Sequence, residues 1–497
     1  MSTETVSHWI DGQQTTGLGE RRGQVYDPAT GQVTREVAFA DGADVDAAVS
    51  AAARAFPGWR DTSLSRRTQI LFRFRELLNE GSHELAELIT AEHGKVLSDA
   101  QGEIARGQEV VEFACGIGHL LKGGYSEGVS TRVDSFSIRQ PLGVVTVISP
   151  FNFPAMVPMW FFPIAISAGN AVILKPSEKD PSAAMWLARC WQRAGLPDGV
   201  FSVLHGDRVA VEGLLAHPDV AAVSFVGSTP IARHVYQSAT GYGKRVQALG
   251  SAKNHMVVLP DADLDLTADA AVNAGFGSAG ERCMAISVVV AVGGIADPLV
   301  AAITERMKGI RVGDGRRGTD MGPLVSGAHR DKVASYLDAG VAEGGQLVVD
   351  GRDVGADGDP AGFWLGPSLL DRVDRRMSVY TDEIFGPVLC VLRVDTFDEA
   401  LRLVNDNPYG NGTAIFTCDG GAARRFQNEV TVGMIGINVP IPVPMAYYSF
   451  GGWKNSLFGD THAHGVEGVH FFTRGKVVTA RWPDPAHRGL DLGFPQT

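Results

Sequence analysis

The sequence has few cysteines, and their spacing suits neither a metal nor a disulfide framework. Its five cysteines, among 497 residues, form no CxxC pair and have no ligand-like spacing to histidine. Such usage provides neither the cross-links of a small secreted domain nor a zinc site. We therefore expect free thiols in a reducing compartment, and no bound metal.

Positive charge is also scarce. The 44 Lys and Arg residues are outnumbered by 56 Asp and Glu, which gives a formal net charge of −12. Nucleic acids and anionic membranes are usually bound by basic surfaces, so the composition argues against both as partners. A small anionic ligand would need a local positive site.

No long apolar run is free of helix breakers. The most apolar stretch, residues 148–174, contains four prolines, and that density does not sustain a helix of about 20 residues across a membrane. The first residues, MSTETVSHWIDGQQ, lack the apolar core of a secretory signal and the arginine-rich pattern of a transit peptide. We therefore expect a cytoplasmic protein with no membrane span.

Apolar residues recur first at helical spacing and then in short strand-like runs. Residues 43–56 and 64–93 carry the pattern of amphipathic helices, with Gly94 as a stop. From residue 142 the runs LGVVTVI, AVILK, VFSVL and AAVSFV alternate with segments of helical pattern. Because parallel strands need long crossovers, this alternation predicts parallel βαβ units. The helices between these strands are predicted near 156–168, 182–194 and 229–239.

A second stretch of α/β character follows. Helices are predicted near 298–309, 326–343 and 396–405, with a strand over 387–394 and further strands in GTAIFT and VGMIGIN. The sequence therefore predicts two α/β lobes.

Two further segments alternate in a different way. Residues 125–140 and the tail 471–482 are both interpreted as exposed hairpins. An exposed β-arm invites pairing unless something covers it, so we expect oligomerisation through these two segments.

Three strand–loop units suggest a nucleotide site. SPFNFP follows the first strand, KPSEKDP follows the second, and SFVGSTPIARHVY supplies another strand, turn and helix. Ligands of open α/β sheets lie at the carboxyl ends of strands, where the N–H groups of Gly227 and Ser228 could approach a pyrophosphate. Locally, Ser228 fits a simple helix N-cap as well, and Lys175 and Glu178 fit surface charges. Since GxGxxG is absent, the pattern alone leaves dinucleotide binding open.

One cysteine stands apart from the others. Cys283 follows Arg282 in GSAGERCMAIS, and a neighbouring guanidinium with nearby backbone amides would favour its thiolate, the nucleophilic form. Each of the others lies among apolar neighbours and fits a small buried side chain: Cys115, Cys190, Cys390 and Cys418.

Several motifs, in this order, resemble the aldehyde dehydrogenase superfamily over nearly the full length. They are SPFNFPAMVPMWFFPIAISAGNAVILKPSE, FVGST, GSAGERCMA, EIFGPVL and SFGGWKNSLFGD. PFNFPAMVP, ALGSAKNHM and GERCMA are similar to the branch of methylmalonate-semialdehyde dehydrogenases, which also act on malonate semialdehyde and form acyl-CoA. The resemblance implies an α/β fold with a Rossmann-type NAD-binding domain, an α/β catalytic domain and a β-arm for oligomerisation.

The resemblance also implies a division of the chain. The NAD-binding domain would comprise residues 1–120 and 141–253, the catalytic domain residues 254–455, and the arm residues 121–140 and 470–497. Pairing of the arms implies a homotetramer, a dimer of dimers. The pathway of this branch is valine, inositol or β-alanine breakdown, and the sequence leaves that choice open.

The matching motifs imply roles for individual residues. Cys283 would attack the aldehyde carbon, and Asn152 with the backbone N–H of Cys283 would form the oxyanion hole. Hydride would then pass to the nicotinamide of NAD and leave a thioester on Cys283. Glu383 would hold the nicotinamide ribose, with Phe385 packed nearby. Alone, Asn152 fits a turn residue and Glu383 a solvated charge. The other residues implied along the dinucleotide are Ser149, Phe151, Lys175, Glu178, Lys179, Ser228 and Gly250.

One departure from the family pattern concerns the acyl acceptor. Hydrolytic members carry a glutamate in a segment like ELGGK, which activates water, whereas QALGSAKNH places Ala248 there. Alanine cannot act as a general base. A thiol needs no such base, so coenzyme A fits as the acceptor. Glu281 is the alternative base, although side chains at i and i+2 do not face each other on a helix.

A 3-oxoacid substrate would need a cation for its carboxylate, and the fork geometry of arginine suits it. Arg282 adjoins Cys283, and Arg106 lies in the helical segment IARGQEVVEFA, which faces the substrate in the resembled branch. Arg106 also fits the surface of an amphipathic helix. After oxidation, the malonyl-type thioester would lose carbon dioxide without a metal. One methyl group is worth only ~1–3 kcal/mol, so the methylated and unmethylated substrates are not distinguished.

Two other functions stay open from the sequence. A hydrolytic NAD-dependent aldehyde dehydrogenase would release a free acid, and Ala248 argues against it. A non-catalytic dinucleotide-binding or structural protein that retains the fold is disfavoured by the intact Cys283, Asn152 and Glu383. The preference for NAD over NADP depends on Glu178, whose carboxylate would repel a 2′-phosphate, although Lys179 follows it.

Overall fold

Two large sheets organise the protein in the computed structural model, which describes residues 4–482. The described strands are β1 (Thr5–Val6), β2 (His8–Ile10), β3 (Gln13–Thr15), β4 (Arg22–Asp27), β5 (Gln32–Ala38), β6 (Tyr125–Ser130), β7 (Val133–Pro141), β8 (Val144–Ile148), β9 (Ala171–Lys175), β10 (Phe201–Val203), β11 (Val220–Val226), β12 (Arg245–Leu249), β13 (Asn254–Val258), β14 (Ile286–Val292), β15 (Gln346–Val349), β16 (Ser368–Asp371), β17 (Val388–Val394), β18 (Tyr409–Gly410), β19 (Gly412–Phe416), β20 (Met434–Ile437), β21 (Trp453–Lys454), β22 (Leu457–Phe458) and β23 (Thr473–Arg481). The described α-helices are α1 (Gly42–Asp61), α2 (Leu64–Glu80), α3 (Ser82–His93), α4 (Leu97–Cys115), α5 (Ile117–Leu120), α6 (Met156–Ala168), α7 (Ser182–Ala194), α8 (Arg208–Ala216), α9 (Thr229–Gly241), α10 (Leu264–Phe276), α11 (Ala296–Met307), α12 (Gly327–Ala342), α13 (Ser378–Thr381), α14 (Phe397–Asp406), α15 (Gly420–Glu429) and α16 (Gly465–Phe471).

The first sheet has the parallel βαβ core that the apolar runs predict. Its eight strands follow the order β22-β12-β11-β8-β9-β10-β2-β3, and β8 to β12 pair in parallel. Every residue of β8 and β9 is buried, which explains why these strands are continuous apolar runs rather than alternating ones. Helices α6 and α7 have the predicted bounds, and α9 ends two residues later than expected.

The second sheet has seven strands in the order β15-β16-β17-β14-β13-β19-β20. Its centre is formed by β13 and β14, which pair in parallel and which the sequence interpretation did not include. The chain returns to the first sheet at β22, which pairs antiparallel with β12. Both lobes are α/β, so the predicted fold class is confirmed. The domain limits stay a prediction.

The helical prediction over 64–93 is wrong in one respect, because two helices occupy this range. They meet at Gly81, where an added Cβ would lie 2.4 Å from the Trp186 ring. The glycine therefore permits a close approach to α7. Gly94 ends α3 with a φ of +93°, as the sequence predicts for a helix stop.

The predicted hairpin over 125–140 is formed by β6 and β7, but the prediction of a second hairpin in the tail is wrong. The tail is one strand, β23, which pairs with β7 from Thr473↔Pro141 to Arg481↔Val133. Its alternating residues contain no two-residue turn, so pairing with a distant strand replaces pairing within the segment. The rest of the proposed arm, residues 483–497, lies outside the described residues.

Among residues 4–482, no helix has the length and apolar character needed to cross a membrane. No group of three or more His, Cys, Asp or Glu side chains in this range could hold a metal ion.

Candidate active site

Cys283 lies between two cavities. The smaller, of about 240 Å³, is called here the α4 cavity because α4 forms one wall of it. The larger, of about 480 Å³, is called the α9 cavity because the start of α9 lines it. Cys283 lines both cavities, so a group bound to its sulfur can contact a ligand in the α4 cavity and a ligand in the α9 cavity.

The turn that positions Cys283 has a strained backbone. Ser278 and Ala279 have φ angles of 52° and 50°, in the left-handed region that costs an L-residue about 1–2 kcal/mol. Gly280 follows with a φ of +72°, and an added Cβ would lie 2.2 Å from the carbonyl oxygen of Gly386. Strain of this kind persists only where the surroundings fix the backbone.

Two asparagines fix the backbone at the nucleophile itself. The Nδ2 atoms of Asn254 and Asn411 donate to the carbonyl oxygen of Cys283 at 2.9 and 3.1 Å. Asn254 begins β13, and Asn411 lies between β18 and β19, so the second sheet holds this turn.

In the free protein, burial and then the nearby Glu383 carboxylate oppose the thiolate expected at Cys283, and they raise the pKa of its thiol to about 12. The backbone amides and Arg282 lower this pKa, as expected, but they are outweighed. The local sequence shows the guanidinium but not the burial, which is a tertiary effect.

This raised pKa predicts how the thiol reacts with an alkylating agent. Below a pKa of about 12 the thiolate fraction rises roughly tenfold per pH unit, so alkylation of Cys283 by iodoacetamide should accelerate from pH 7 to pH 10 without a plateau. Peptide mass spectrometry separates Cys283 from the exposed Cys418, which serves as the internal control. A plateau with a midpoint below pH 8 would contradict the raised pKa.

The prediction that the other four cysteines are buried is correct for three of them and wrong for Cys418. Three are buried as expected: Cys115, Cys190 and Cys390. Cys418 is exposed. It lies just past the end of β19, where the chain turns at Asp419 into α15, and the apolar strand before it is a poor guide to its environment.

One face of α4 forms the charged wall of the α4 cavity. Asp99, Gly102, Glu103 and Arg106 lie at i, i+3, i+4 and i+7, which places them on one side of the helix. Sequence analysis found only Arg106, although the helical spacing would have shown the others. The opposite wall is largely apolar and includes Phe153, Met156, Trp160, Ile441, Val443 and Phe450.

Both predicted carboxylate-binding arginines line the α4 cavity together with Cys283, and both already have anionic partners. Arg282 forms an ion pair with Asp99. An added Cβ on Gly277 would lie 2.4 Å from Arg282 Nη1, so this glycine makes room for the guanidinium. Arg106 pairs with Glu109 at 2.8 Å and donates to the carbonyl oxygen of Pro444 at 2.9 Å.

The α9 cavity brings together most of the residues implied for the dinucleotide. Ser228 is the N-cap residue of α9, yet its side chain makes no capping hydrogen bond. The Glu383 carboxylate accepts from the backbone N–H of Ala252 at 2.8 Å, and burial raises its pKa. The predicted residues in this wall are Phe151, Asn152, Ser228, Gly250, Glu383 and Phe385.

Of four further predicted residues, Lys175 ends β9 and the others lie on the loops after β8 and β9. Ser149 N–H donates to the carbonyl oxygen of Lys175 at 3.1 Å, which joins the first loop to the end of β9. Lys175 Nζ lies 3.5 Å from the Glu178 carboxylate, and Lys179 Nζ lies 4.5 Å from the centre of the Phe151 ring. Lys179 is therefore coupled to the cavity wall through Phe151.

Sequence analysis missed a helical face on the far side of the α9 cavity. His329, Lys332 and Tyr336 lie at i, i+3 and i+7 of α12 and line the cavity with Tyr409. His329 Nε2 lies 2.8 Å from the carbonyl oxygen of Phe385. The segment GAHRDKVASYLDAGVA has weak helical amphipathicity, so its inward face gave little signal.

Ala248, which the resemblance predicts at the position of the glutamate in hydrolytic members, is completely buried in β12, where it pairs with Phe225 of β11 and Phe458 of β22. Its methyl group supplies no proton acceptor.

Glu281, the alternative base, is completely buried and contacts a different set of groups. Its Oε1 accepts from Val325 N–H at 3.3 Å and lies 3.6 Å from His329 Nε2, while its Oε2 lies 3.8 Å from His93 Nε2. Burial raises the pKa of Glu281 to about 8, and it also keeps the pKa values of both histidines low. Burial therefore favours the neutral forms of this carboxyl and of both imidazoles.

We expect Glu281→Gln to stabilise the protein more at pH 8.5 than at pH 5. The pKa of this carboxyl rises from 4.5 to about 8 on folding, so the unfolded chain ionises first and stability falls as pH rises through this window. Glutamine is isosteric and cannot ionise. Thermal unfolding at the two pH values should show a gain of several degrees in the alkaline sample, and a gain that shrinks with rising pH would contradict the buried neutral acid.

Comparison with known proteins agrees with this geometry. Residues 15–478 match the Aldehyde dehydrogenase family, and the chain belongs to that family. It is 53% identical to malonate-semialdehyde dehydrogenase of Pseudomonas aeruginosa, over 99% of each chain. It is 48% identical to malonate-semialdehyde dehydrogenase 1 of Geobacillus thermodenitrificans, over 96% of this chain and 99% of the other.

Solved structures extend the comparison. The crystal structure of methylmalonate-semialdehyde dehydrogenase from Oceanimonas doudoroffii has a TM-score of 0.96 at 50% identity, covering 97% of this chain and 99% of the other. A structure from Sinorhizobium meliloti, complexed with NAD and described as a candidate methylmalonate-semialdehyde dehydrogenase, has a TM-score of 0.96 at 49% identity and the same coverage. The predicted family and branch are confirmed.

Proposed function

We propose that this protein is an NAD-dependent, CoA-acylating dehydrogenase of malonate semialdehyde or methylmalonate semialdehyde, which releases carbon dioxide and forms acetyl-CoA or propionyl-CoA. One observation carries the proposal. Cys283 links a cavity that holds two arginines to a second cavity lined by the residues implied for a dinucleotide. The two relatives named from Pseudomonas and Geobacillus are malonate-semialdehyde dehydrogenases, which supports this substrate class.

The α9 cavity fits NAD. Its volume is about 480 Å³, and its wall includes Ser228 at the start of α9, whose side chain makes no capping hydrogen bond and can meet a phosphate beside the positive end of the helix. Glu383 offers an acceptor for ribose hydroxyls from the same wall. NAD, when bound there, supplies the hydride acceptor for aldehyde oxidation.

The protein's own residues would carry the rest of the chemistry. The Cys283 thiolate attacks the aldehyde carbon, and the Asn152 amide with the Cys283 N–H stabilises the oxyanion. Loss of hydride leaves a thioester on Cys283. The thioester carbonyl accepts the electrons of the carboxylate bond as carbon dioxide leaves, and the α-carbon of the resulting enolate takes up a proton from water. The thiolate of coenzyme A then takes the acyl group as the Cys283 thiolate departs. With Ala248 at the position of the water-activating glutamate, water is a poor competitor.

The arginines explain why the substrate would be a 3-oxoacid. Arg282 adjoins the nucleophile, and Arg106 projects from α4 into the same cavity. Charge-assisted bonds from a guanidinium fork hold a carboxylate at a fixed distance from the aldehyde. Asp99 and Glu109 hold the two guanidinium groups in place before the substrate arrives.

The oligomeric state and the compartment belong to the same proposal. The exposed sheet β23-β7-β6 would pair with other copies, giving a homotetramer built as a dimer of dimers. Its outer strand exposes Val477 to 72%, which favours a covered position in an assembly. The enzyme would act in the cytoplasm on the free aldehyde and coenzyme A.

Arg282→Leu tests the carboxylate assignment. We expect kcat/KM for malonate semialdehyde to fall roughly 10–100-fold, because a hydrogen bond to a charged group is worth ~1.5–3 kcal/mol, while kcat/KM for propanal changes little. Arg425→Leu is the matched control, since Arg425 pairs with Asp398 and Glu429 on the surface. Equal losses for both aldehydes in Arg282→Leu would assign Arg282 to the nucleophile and not to the substrate.

A further inference from the structure

A completely buried ion pair lies beneath the loop that carries Asn152. Lys95 Nζ is 2.6 Å from Glu103 Oε2, and both side chains are 0% exposed. Desolvating two ions costs several kcal/mol each, and an apolar replacement of similar volume is often as stable. Stability alone therefore does not account for this pair.

Each member of the pair forms hydrogen bonds with backbone groups of the short segment from Asn152 to Met156. Lys95 Nζ donates to the carbonyl oxygen of Asn152 at 2.6 Å. Glu103 Oε1 accepts from the N–H groups of Ala155 and Met156 at 3.0 and 3.2 Å. The ammonium also lies 4.3 Å from the centre of the Phe153 ring. The pair therefore holds the segment both before and after this ring.

The segment is neither helix nor strand, since Asn152 lies between the end of β8 and the start of α6. Ala155 is the N-cap residue of α6, and no side chain of its own caps the helix. Glu103, from α4, supplies the missing acceptor at that helix start, where a carboxylate is favoured.

We propose that the Lys95–Glu103 pair positions the Asn152 amide against the sulfur of Cys283. Lys95 and Glu103 are positioning residues, and this inference rests on the proposed role of Asn152 in the oxyanion hole. An asparagine side chain has two rotatable bonds, so the place of its amide follows closely from the place of its backbone. A misplacement of about 1 Å in such a site can lower the rate about 10²-fold.

Single-turnover kinetics with propanal and NAD test this inference, because hydride transfer to NAD then depends on neither carboxylate recognition nor the acyl acceptor. We expect Lys95→Met to slow the burst of NADH about 10–100-fold, and Glu103→Gln to slow it less. The dissociation constant of NAD should stay within about twofold. Glu103→Gln is isosteric and keeps one acceptor, so it provides the test if Lys95→Met does not fold.

A double-mutant cycle separates positioning from general damage to the fold. In an Asn152→Ala background, Lys95→Met or Glu103→Gln should slow the burst no further. Lys244→Met is the matched control: this buried lysine donates to the carbonyl oxygen of Val220 at 2.7 Å, at the opposite end of the first sheet from the cavities, and its loss should lower the melting temperature while the burst rate stays unchanged.

Three results would overturn the inference, and they differ in meaning. Additive losses in the double variants would show that the pair acts elsewhere. A normal burst in folded Lys95→Met and Glu103→Gln would show that the loop needs no support from the pair. A normal burst in Asn152→Ala would remove the oxyanion role itself, and with it that part of the proposed function.

Discussion

Replacing Cys283 with alanine is expected to lower NADH formation at least about 10⁴-fold with every aldehyde. The cysteine forms the covalent adduct from which hydride leaves, and loss of a nucleophile in a concerted site removes nearly all of its catalysis. An alanine at the junction of the two cavities leaves the shape of both walls nearly unchanged. NAD binding, measured by fluorescence titration, should therefore persist.

Cys418→Ala provides the comparison, because Cys418 is exposed and follows β19 at a distance from the nucleophile turn. This control should retain full activity. NADH formation that is unchanged in Cys283→Ala would contradict the covalent route altogether, whatever the acyl acceptor.

Asn152→Ala is expected to slow hydride transfer about 10²–10³-fold. One fixed donor to an oxyanion contributes ~2.7–4 kcal/mol in the transition state, and the alanine variant loses that donor without changing the nucleophile. Asn152 is 3% exposed, so water has little room to replace the amide. The burst rate of NADH in a stopped-flow experiment measures the effect.

Two comparisons sharpen this prediction. Asn152→Asp should be at least as slow, because its carboxylate would repel the oxyanion. Asn405→Ala, which removes an exposed bond to the carbonyl oxygen of Glu429, should leave the burst unchanged. A loss below about threefold in Asn152→Ala would contradict the oxyanion role.

The parallel core of the first lobe could be predicted from the sequence because its strands are buried on both faces. AVILK and LGVVTVI leave no polar face to obscure the pattern. The tail at 471–482 shows the opposite case. Its alternation is clear, but which strand it pairs with depends on β7, more than three hundred residues earlier in the chain.

The active site likewise contains residues that sequence motifs indicate and contacts that only the tertiary structure reveals. Cys283 and Asn152 are identified by motifs that occur together along the chain, and the structure brings the two residues to one cavity wall. Helical spacing places Asp99 on the same face as Arg106, but its ion pair with Arg282 spans 183 positions of sequence, so no local pattern indicates that pair. The raised pKa of Cys283 likewise comes first from burial, which neighbouring residues do not encode.

Product analysis shows whether coenzyme A or water accepts the acyl group. Malonate semialdehyde labelled at the carboxylate carbon is supplied with NAD, with and without coenzyme A, and the acyl product and released gas are identified. We expect acetyl-CoA and labelled carbon dioxide with coenzyme A, and about one NADH per active site followed by slow turnover without it. Free malonate formed equally fast without coenzyme A would rule out coenzyme A as the acceptor.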